Sequence, residues 1–327
     1  MVGRPVAMRQ ARTWLTGLVV GAAFAVTGPA SAATFETSFQ LLQMTPSGVW
    51  DETGGLPFLF PPGTGYRYRA GANTYVGQWI PASVSRGSIG EALAEVYEDS
   101  VGRFPQGNEA VITDRRLTAT EAARFTVLAD LYRDGDVLVV AAGHPACAGL
   151  TIDQARRIAN GTIARWSQVV RGAAVDRIAV RYLQMPGAEF PIPRLGTRFV
   201  GQRTSWRVDY ARSGKGAPDG GVGEAAAGNQ GVVAITTWSR LRATRPGSCV
   251  VPLDGVEPTN ATIASLRYPG AFPVSCVVTR KVAGRDAVAR GRIVVMRRAM
   301  RAKLLSEGRK ALRSRGLLVV GDPVPPG

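Results

Sequence analysis

Apolar and polar positions along this chain alternate between two periods, which predicts strands and helices that follow one another. Short continuous apolar runs such as "DVLVVAAG" and "GVVAITT" are typical of buried strands. Segments such as "TIDQARRIANG" and "TATEAARFTVLADLY" carry apolar residues at helical spacing, and Thr118 or Thr120 would cap the second. Strand alternating with helix favours an α/β fold with mixed, mostly parallel sheets.

The remaining segments continue this alternation. The runs "NEAVITD", "RIAVRYL", "CVVPLDG" and "VSCVVTR" predict further strands. The segments "SIGEALAEVYED" and "GTRFVGQRTSWRVDYARSG" predict helices, and Ser88 with Glu91 has the spacing of a capping box. No internal repeat or low-complexity linker interrupts the pattern, so a globular protein is expected.

The first 32 residues read as a secretory signal peptide. Arg4, Arg9 and Arg12 form a basic start, an apolar stretch follows, and Ala30-Ser31-Ala32 matches a cleavage site. No other apolar run approaches the ~20 residues of a membrane helix. No cysteine lies near the cleavage point, so we expect an exported, soluble product, periplasmic or extracellular, without a lipid anchor.

Three cysteines in an exported chain allow one disulfide and one remaining thiol. Sequence alone does not decide the pairing among Cys147, Cys249 and Cys276. Cys249 with Cys276 is the pair we favour, because both lie beside strand-like segments in the last third.

The formal charge is +16, and removal of the three signal-peptide arginines leaves +13. Residues 280 to 315 carry thirteen lysines and arginines against Asp286 and Glu307. Apolar residues at helical spacing in this segment predict an amphipathic helix with a basic outer face. That face is either an ordinary solvated surface or a contact for anionic envelope polymers. Nucleic acid is not an expected partner of an exported chain.

The sequence lacks the residue patterns of several kinds of catalytic and metal sites. The single histidine, His144, lies in "GHPACAG" after a predicted buried strand, where a structural turn is the simpler role. The cysteines are too far apart in sequence for a typical zinc motif. Nucleotide-binding and hydrolase motifs are missing as well. We therefore expect a binding protein rather than an enzyme, without cofactor or metal.

Five segments, in order, resemble the phosphate-binding proteins of ABC transporters. "LTIDQARRIANGTIARWSQV" matches that family's Leu-Thr helix and Gly-x-Ile-x-x-Trp turn. "AVITDRRLTATEA", "AAGNQGVVAITTWSRL", "PTNATIASLRYPGAFPVSCVV" and "LLSEGRKALRSRGLLVV" match four more family blocks. The resemblance implies a two-lobed periplasmic-binding-protein fold with a ligand cleft. The implied lobes are residues 33–140 plus 245–327, and 141–244.

The resemblance also implies a set of phosphate ligands. Ser85, Gly87 and Ser88 match the family's second phosphate loop at a helix N-terminus, where backbone N–H groups attract anions. Asp114 matches a carboxylate that favours a protonated oxyanion, so phosphate would be preferred over sulfate. The alternative for Asp114 is an ordinary loop or cap carboxylate.

The third phosphate loop is matched at its end by Gly196 and Thr197. The family's arginine corresponds to Arg181 or Arg194, whose guanidinium would pair with phosphate oxygens. This chain departs from the family where Leu195 replaces a serine and Glu91 replaces a glycine. A first phosphate loop is not found near the mature N-terminus.

Two functions follow from these observations. The first is an exported, monomeric solute-binding protein that captures phosphate or a related oxyanion for the membrane permease of an ABC importer. The alternative is a binding-protein-like domain with a degenerate ligand site, acting through its basic surface.

Overall fold

The computed structural model describes eleven strands and six α-helices. It covers residues 34–43, 65–70, 73–83, 93–94, 96–98, 108–159, 161–184, 206–210, 222–239, 241, 247–281, 287–314 and 316–325. The predicted signal peptide lies outside these residues. The strands are β1 Thr34–Gln43, β2 Gly65–Ala70, β3 Asn73–Ser83, β4 Asn108–Thr113, β5 Phe125–Val140, β6 Ala179–Gln184, β7 Trp206–Tyr210, β8 Val232–Thr237, β9 Cys249–Val250, β10 Ala271–Thr279 and β11 Leu318–Val319.

The helices lie between these strands. They are α1 Ala119–Arg124, α2 Ile152–Ala159, α3 Val222–Ala226, α4 Asn260–Ala264, α5 Ala287–Lys303 and α6 Arg309–Ser314. A π-helical turn, Leu304–Gly308, joins α5 to α6. The predicted helix that follows Ser88 is represented by helical residues between 93 and 98, of which Leu93 and Val96 are buried.

The strands form one path, in the order β2-β3-β1-β4-β10-β5-β8-β6-β7. Its centre is β5: Phe125–Gly135 pairs with β10, and the following residues, from Asp136, pair with β8. We call the strands on the β10 side the first sheet and those on the β8 side the second sheet. Because the long strand β5 belongs to both, the chain passes from one sheet to the other within a single element.

The sheets are mixed, as expected, but parallel pairing does not predominate. The described parallel pairs are β1–β3, β1–β4, β6–β7 and β6–β8. The other six described pairs are antiparallel: five of them involve β5 or β10, and the sixth is the pair β2–β3. The α/β architecture is confirmed, with this change in the balance of pairings.

Two predicted helices are partly strands. The helix expected over "TATEAARFTVLADLY" ends at Arg124, and residues from Phe125 onward form β5. The helix expected over 196–214 contains the strand β7. Aromatic and β-branched residues suit a pleated surface, and pairing with β10 or β6 outweighs the helical spacing of apolar positions.

Each sheet has its own apolar core. The second-sheet core packs α2 against β5 and β8 through residues such as Ile158, Val140 and Val233. The first-sheet core packs α5 against β5 and β10 and includes Met300. The division into lobes at residues 140 and 245 stays a prediction.

The disulfide joins Cys147 to Cys249, and Cys276 is a buried thiol. The predicted pair Cys249–Cys276 is therefore wrong. Cys249 is in β9, which pairs with the second-sheet half of β5, and the turn that carries Cys147 directly follows that half. Cys276 instead faces the first-sheet core, and burial raises the pKa of its thiol to about 12.

The basic helix α5 is amphipathic, as predicted. Ala299, Met300 and the following Leu304 are buried, whereas Arg298 and Arg301 are exposed. Within the described ranges, no helix combines the length and apolar character needed to cross a membrane.

Candidate functional site

The predicted carboxylate Asp114 directly follows the last residue of β4. Its side chain is fully buried. The turn is held by Thr113, whose Oγ1 accepts the Arg115 N–H at 3.2 Å and lies 3.1 Å from the Arg115 carbonyl oxygen. Because this turn begins at Thr113, the last residue of β4, Asp114 is held at the carboxyl end of the strand. A buried carboxylate is expensive unless it is hydrogen-bonded, so this position calls for a polar environment.

The next residues form a compact ion pair and helix cap. Arg115 donates two hydrogen bonds of 2.7 Å to the two carboxylate oxygens of Glu121. Thr118 caps α1: its Oγ1 accepts the Glu121 N–H, and its own N–H donates to the Glu121 carboxylate. The Arg115 guanidinium, followed by the Thr118 N–H, lowers the pKa of Glu121 to about 2. Both terminal nitrogens of Arg115 therefore donate hydrogen bonds to Glu121.

Arg181 lies in β6, between β8 and β7. It is opposite Ala234 on one side and Arg207 on the other. Along the strand path, β4 and β6 are each two strands from β5, on opposite sides. Asp114 and Arg181 therefore belong to different sheets.

The other predicted ligands lie outside the described residues. They are Ser85, Gly87, Ser88, Arg194, Gly196 and Thr197. Glu91 and Leu195, the two departures from the family pattern, lie outside as well. The structure therefore fixes the surroundings of Asp114 and the strand position of Arg181, and the complete ligand set stays a prediction.

Sequence reasoning missed a buried polar cluster at the point where β5 crosses between the sheets. It consists of the buried Asp134 and Asp136 on β5, the half-buried Ser239 after β8, and the buried Tyr268 before β10. The signal was present in the sequence as "RDGD" within an otherwise apolar run. The sequence pattern divides that run into a helix and a strand, which places Asp134 in a connecting loop and Asp136 at the start of the strand.

His144 has a structural role, as predicted. It caps the 3-10 turn Pro145–Ala148, and its Nδ1 accepts the Ala146 N–H at 3.1 Å. Its ring centre lies 4.3 Å from that of the buried Trp166, and burial lowers the pKa of the imidazole. Among the described residues, no group of three or more His, Cys, Asp or Glu side chains could hold a metal ion.

Comparison with solved structures agrees with this architecture. An ABC-type phosphate transport receptor from Vibrio cholerae superposes with a TM-score of 0.53 at 16% identity, over 86% of this chain and 99% of the receptor. The chain has the fold of a periplasmic solute-binding protein. Two further similar structures have TM-scores of 0.48 and 0.49. One is a phosphate ABC transporter substrate-binding protein with bound phosphate from Clostridium perfringens, at 15% identity over 87% of this chain and 100% of its own.

The other similar structure is PstS from Borrelia burgdorferi, at 13% identity over 86% of this chain and 98% of its own. No family model matches the sequence, and no curated protein matches it significantly. In this chain, Asp114 follows a strand of the first sheet, Arg181 lies in the second sheet, and buried polar residues lie at the β5 crossing between them.

Proposed function

We propose that this protein is an exported solute-binding protein that captures phosphate, or a closely related protonated oxyanion, for an ABC-type importer. It would act as a soluble monomer outside the cytoplasm, without a lipid anchor, and pass its ligand to a membrane permease. The fold supports a solute-binding role. The finer assignment to phosphate rests on the position and burial of Asp114.

The observation that carries the proposal is a fully buried carboxylate at the carboxyl end of β4. This is where the resemblance to phosphate-binding proteins puts a carboxylate in contact with the ligand. The adjacent Arg115 donates its two terminal nitrogens to Glu121, and its positive charge also interacts with Asp114. In the proposed complex, Asp114 would accept a hydrogen bond from a ligand that brings a proton.

A carboxylate in this position distinguishes oxyanions by their protons. Monohydrogen phosphate can donate its P–OH proton to the carboxylate, which gives a charge-assisted hydrogen bond. Sulfate has no proton at neutral pH, so its oxygens would meet the carboxylate as like charges. At ~4 Å and an effective dielectric constant of ~20, each pair of unit charges costs about 4 kcal/mol. The proposal therefore requires strong discrimination against sulfate.

Ligand-induced thermal stabilisation of three proteins tests this proposal. The wild type should melt at higher temperature with phosphate and be unchanged with sulfate. Asp114→Asn replaces the carboxylate by an amide that can donate to either ion, so its selectivity should collapse. Arg181→Gln should weaken the response to phosphate. An unchanged preference for phosphate in Asp114→Asn would contradict the assigned role.

A second candidate function rests on the exposed cations of one surface. Arg280, Lys281, Arg298 and Arg301, which we call the basic face, are all exposed. Arg280 donates from Nε to the Ala122 carbonyl, and Arg301 donates to the Leu128 carbonyl, so both guanidinium groups lie near α1 and the start of β5. Such a field attracts polyanions, and anionic envelope polymers are the partner we propose for this face. Arg297, in the same helix as Arg298 and Arg301, is buried and does not belong to the basic face.

Retention on immobilised dextran sulfate, an anionic polymer, tests the basic face. Arg298→Glu with Arg301→Glu should elute at clearly lower salt than wild type. Two other exposed arginines, Arg171 and Arg267, provide the matched control as a second double glutamate variant. Because the two double variants have the same net charge, equal elution of both would show that only total charge matters and would reject this candidate.

A further inference from the structure

At the crossing of β5, the backbone of this strand lies close to the segment that precedes β10. Gly135 is opposite Ala271 in the first sheet, and the next residue, Asp136, is opposite Thr237 in the second. The Asp136 N–H donates to the Gly270 carbonyl at 3.0 Å. A side chain at Gly270 would collide with the Asp136 carbonyl oxygen. The two backbones can approach this closely because position 270 is glycine.

A single carboxyl group links the two sheets at this point. Asp134 is opposite Phe272 in the first sheet and is fully buried. Its Oδ1 accepts the Gly135 N–H at 2.8 Å and the Ser239 N–H at 3.0 Å. Its Oδ2 is 2.6 Å from the Ser239 Oγ, which donates to it. Ser239 follows β8 in the second sheet, so one side chain connects the sheets through two hydrogen bonds.

Among the described residues, no positively charged group acts on the Asp134 carboxyl group. On β5 itself, the neighbouring Asp136 repels a negative charge on Asp134. Tyr268, in the segment before β10, is buried. Its burial and the negative charge of Asp136 both raise the pKa of its phenol. On the β10 and β11 side, Arg133 lies 3.8 Å from Asp130. Burial is the largest effect, and it raises the pKa of Asp134 to about 6 despite the three hydrogen bonds.

We propose that Asp134 and Ser239 form a proton-controlled clasp between the two sheets. In the protonated form, Oδ1 still accepts two N–H groups and the acid proton can be donated to Ser239, so the clasp stays closed. In the ionised form, a buried negative charge lies near the like charge of Asp136, and an opened crossing that admits water gains relative stability. The proposed clasp controls the opening of the β5 crossing, and it does not depend on phosphate binding.

Proton linkage sets the size of the effect. A carboxyl group that titrates near 6 when buried and near 3.9 when hydrated favours opening by about tenfold more at pH 8 than at pH 5. The serine hydroxyl stabilises the ionised form specifically. Ser239→Ala should therefore move the midpoint of this dependence to higher pH, whereas Asp134→Asn should abolish the dependence.

Hydrogen exchange of the full chain, followed by mass spectrometry and expressed as protection factors, tests the clasp. Peptides covering residues 134–139 and 236–239 should exchange more readily than the first-sheet core around Val111 and Val277. Their protection should fall about tenfold from pH 5 to pH 8. In Asp176→Asn, which alters an exposed carboxylate, the same fall should persist.

Two results would overturn the proposal. One is equal protection of the crossing at both pH values in the wild type. The other is exchange of the crossing only together with the core, which would make Asp134 a stabilising cap without a separate opening. If Asp134→Asn does not fold, the wild-type pH series and the shifted midpoint of Ser239→Ala decide the question, because a fixed midpoint contradicts the clasp.

Discussion

Replacement of Asp134 by asparagine tests the energetics of the crossing most sharply. The side chain is fully buried, and asparagine has nearly the same shape without a charge. Its Oδ1 can accept the Gly135 and Ser239 N–H groups, and its amide can donate to the Ser239 hydroxyl. The substitution therefore removes the titration while keeping the hydrogen bonds.

The magnitude follows from the two pKa values of the carboxyl group. Burial raises the pKa of Asp134 from 3.8 to about 6 in the folded protein. The folded state therefore holds the proton more tightly than the unfolded state. This stabilisation is complete below pH 3.8 and is lost as the pH rises through about 6. A difference of roughly two pKa units corresponds to about 3 kcal/mol of unfolding free energy.

Urea unfolding followed by circular dichroism, at about pH 3.5 and about pH 7.5, measures this contribution. Relative to wild type, Asp134→Asn should gain about 3 kcal/mol of stability between the lower and the higher pH. Asp176→Asn is the control: Asp176 is exposed, and hydrogen bonds from Ser167 lower its pKa, so its dependence has the opposite sign. Parallel pH curves for wild type and Asp134→Asn would refute the reasoning.

Three further predictions concern the framework around the site. Replacing Cys147 and Cys249 together by alanine should lower the unfolding free energy by about 3–5 kcal/mol, because the bridge closes a loop of about 100 residues; no loss in urea unfolding would contradict this. Arg297→Met should destabilise by about 1–3 kcal/mol, since its guanidinium donates to Thr279 from a buried position, whereas the exposed Arg298→Met should change the urea midpoint little. In wild type, ionised Glu121 stabilises the folded state above pH 4.5, and this stabilisation is lost as the pH falls towards 2. Glu121→Gln should remove it, so coinciding acid-unfolding curves of wild type and variant would disprove the prediction.

The sequence predicted those elements whose local pattern agrees with their tertiary surroundings. The run "GVVAITT" is a buried strand, and "TIDQARRIA" is a helix whose buried face includes Ala155 and Ile158. The amphipathic α5 and the turn at His144 also follow from local chemistry. In each case the packing demands the same residues that the local pattern already favours.

Local pattern fails where long-range pairing decides the structure. Phe125 to Tyr132 has apolar residues at helical spacing, yet it pairs with β10, about 150 residues further along the chain. The pairing of Cys147 with Cys249 likewise depends on β9 lying against β5. Neither pairing can be read from neighbouring residues.

The candidate site shows the same division. Asp114 was predicted because it follows a short apolar strand in a recognisable block. Asp134 was missed because its role depends on Ser239, which is 105 residues away in sequence. A polar pair within an apolar run is a useful signal in such a chain, since a carboxylate inside a sheet needs donors from another element.

Isothermal titration of the wild-type protein at neutral pH tests the capture of a protonated oxyanion. We expect saturable binding of one phosphate per chain and no binding heat with sulfate under the same conditions. Saturable binding of sulfate with similar affinity would contradict the role of Asp114. Absence of binding with both ions would contradict the proposed function itself.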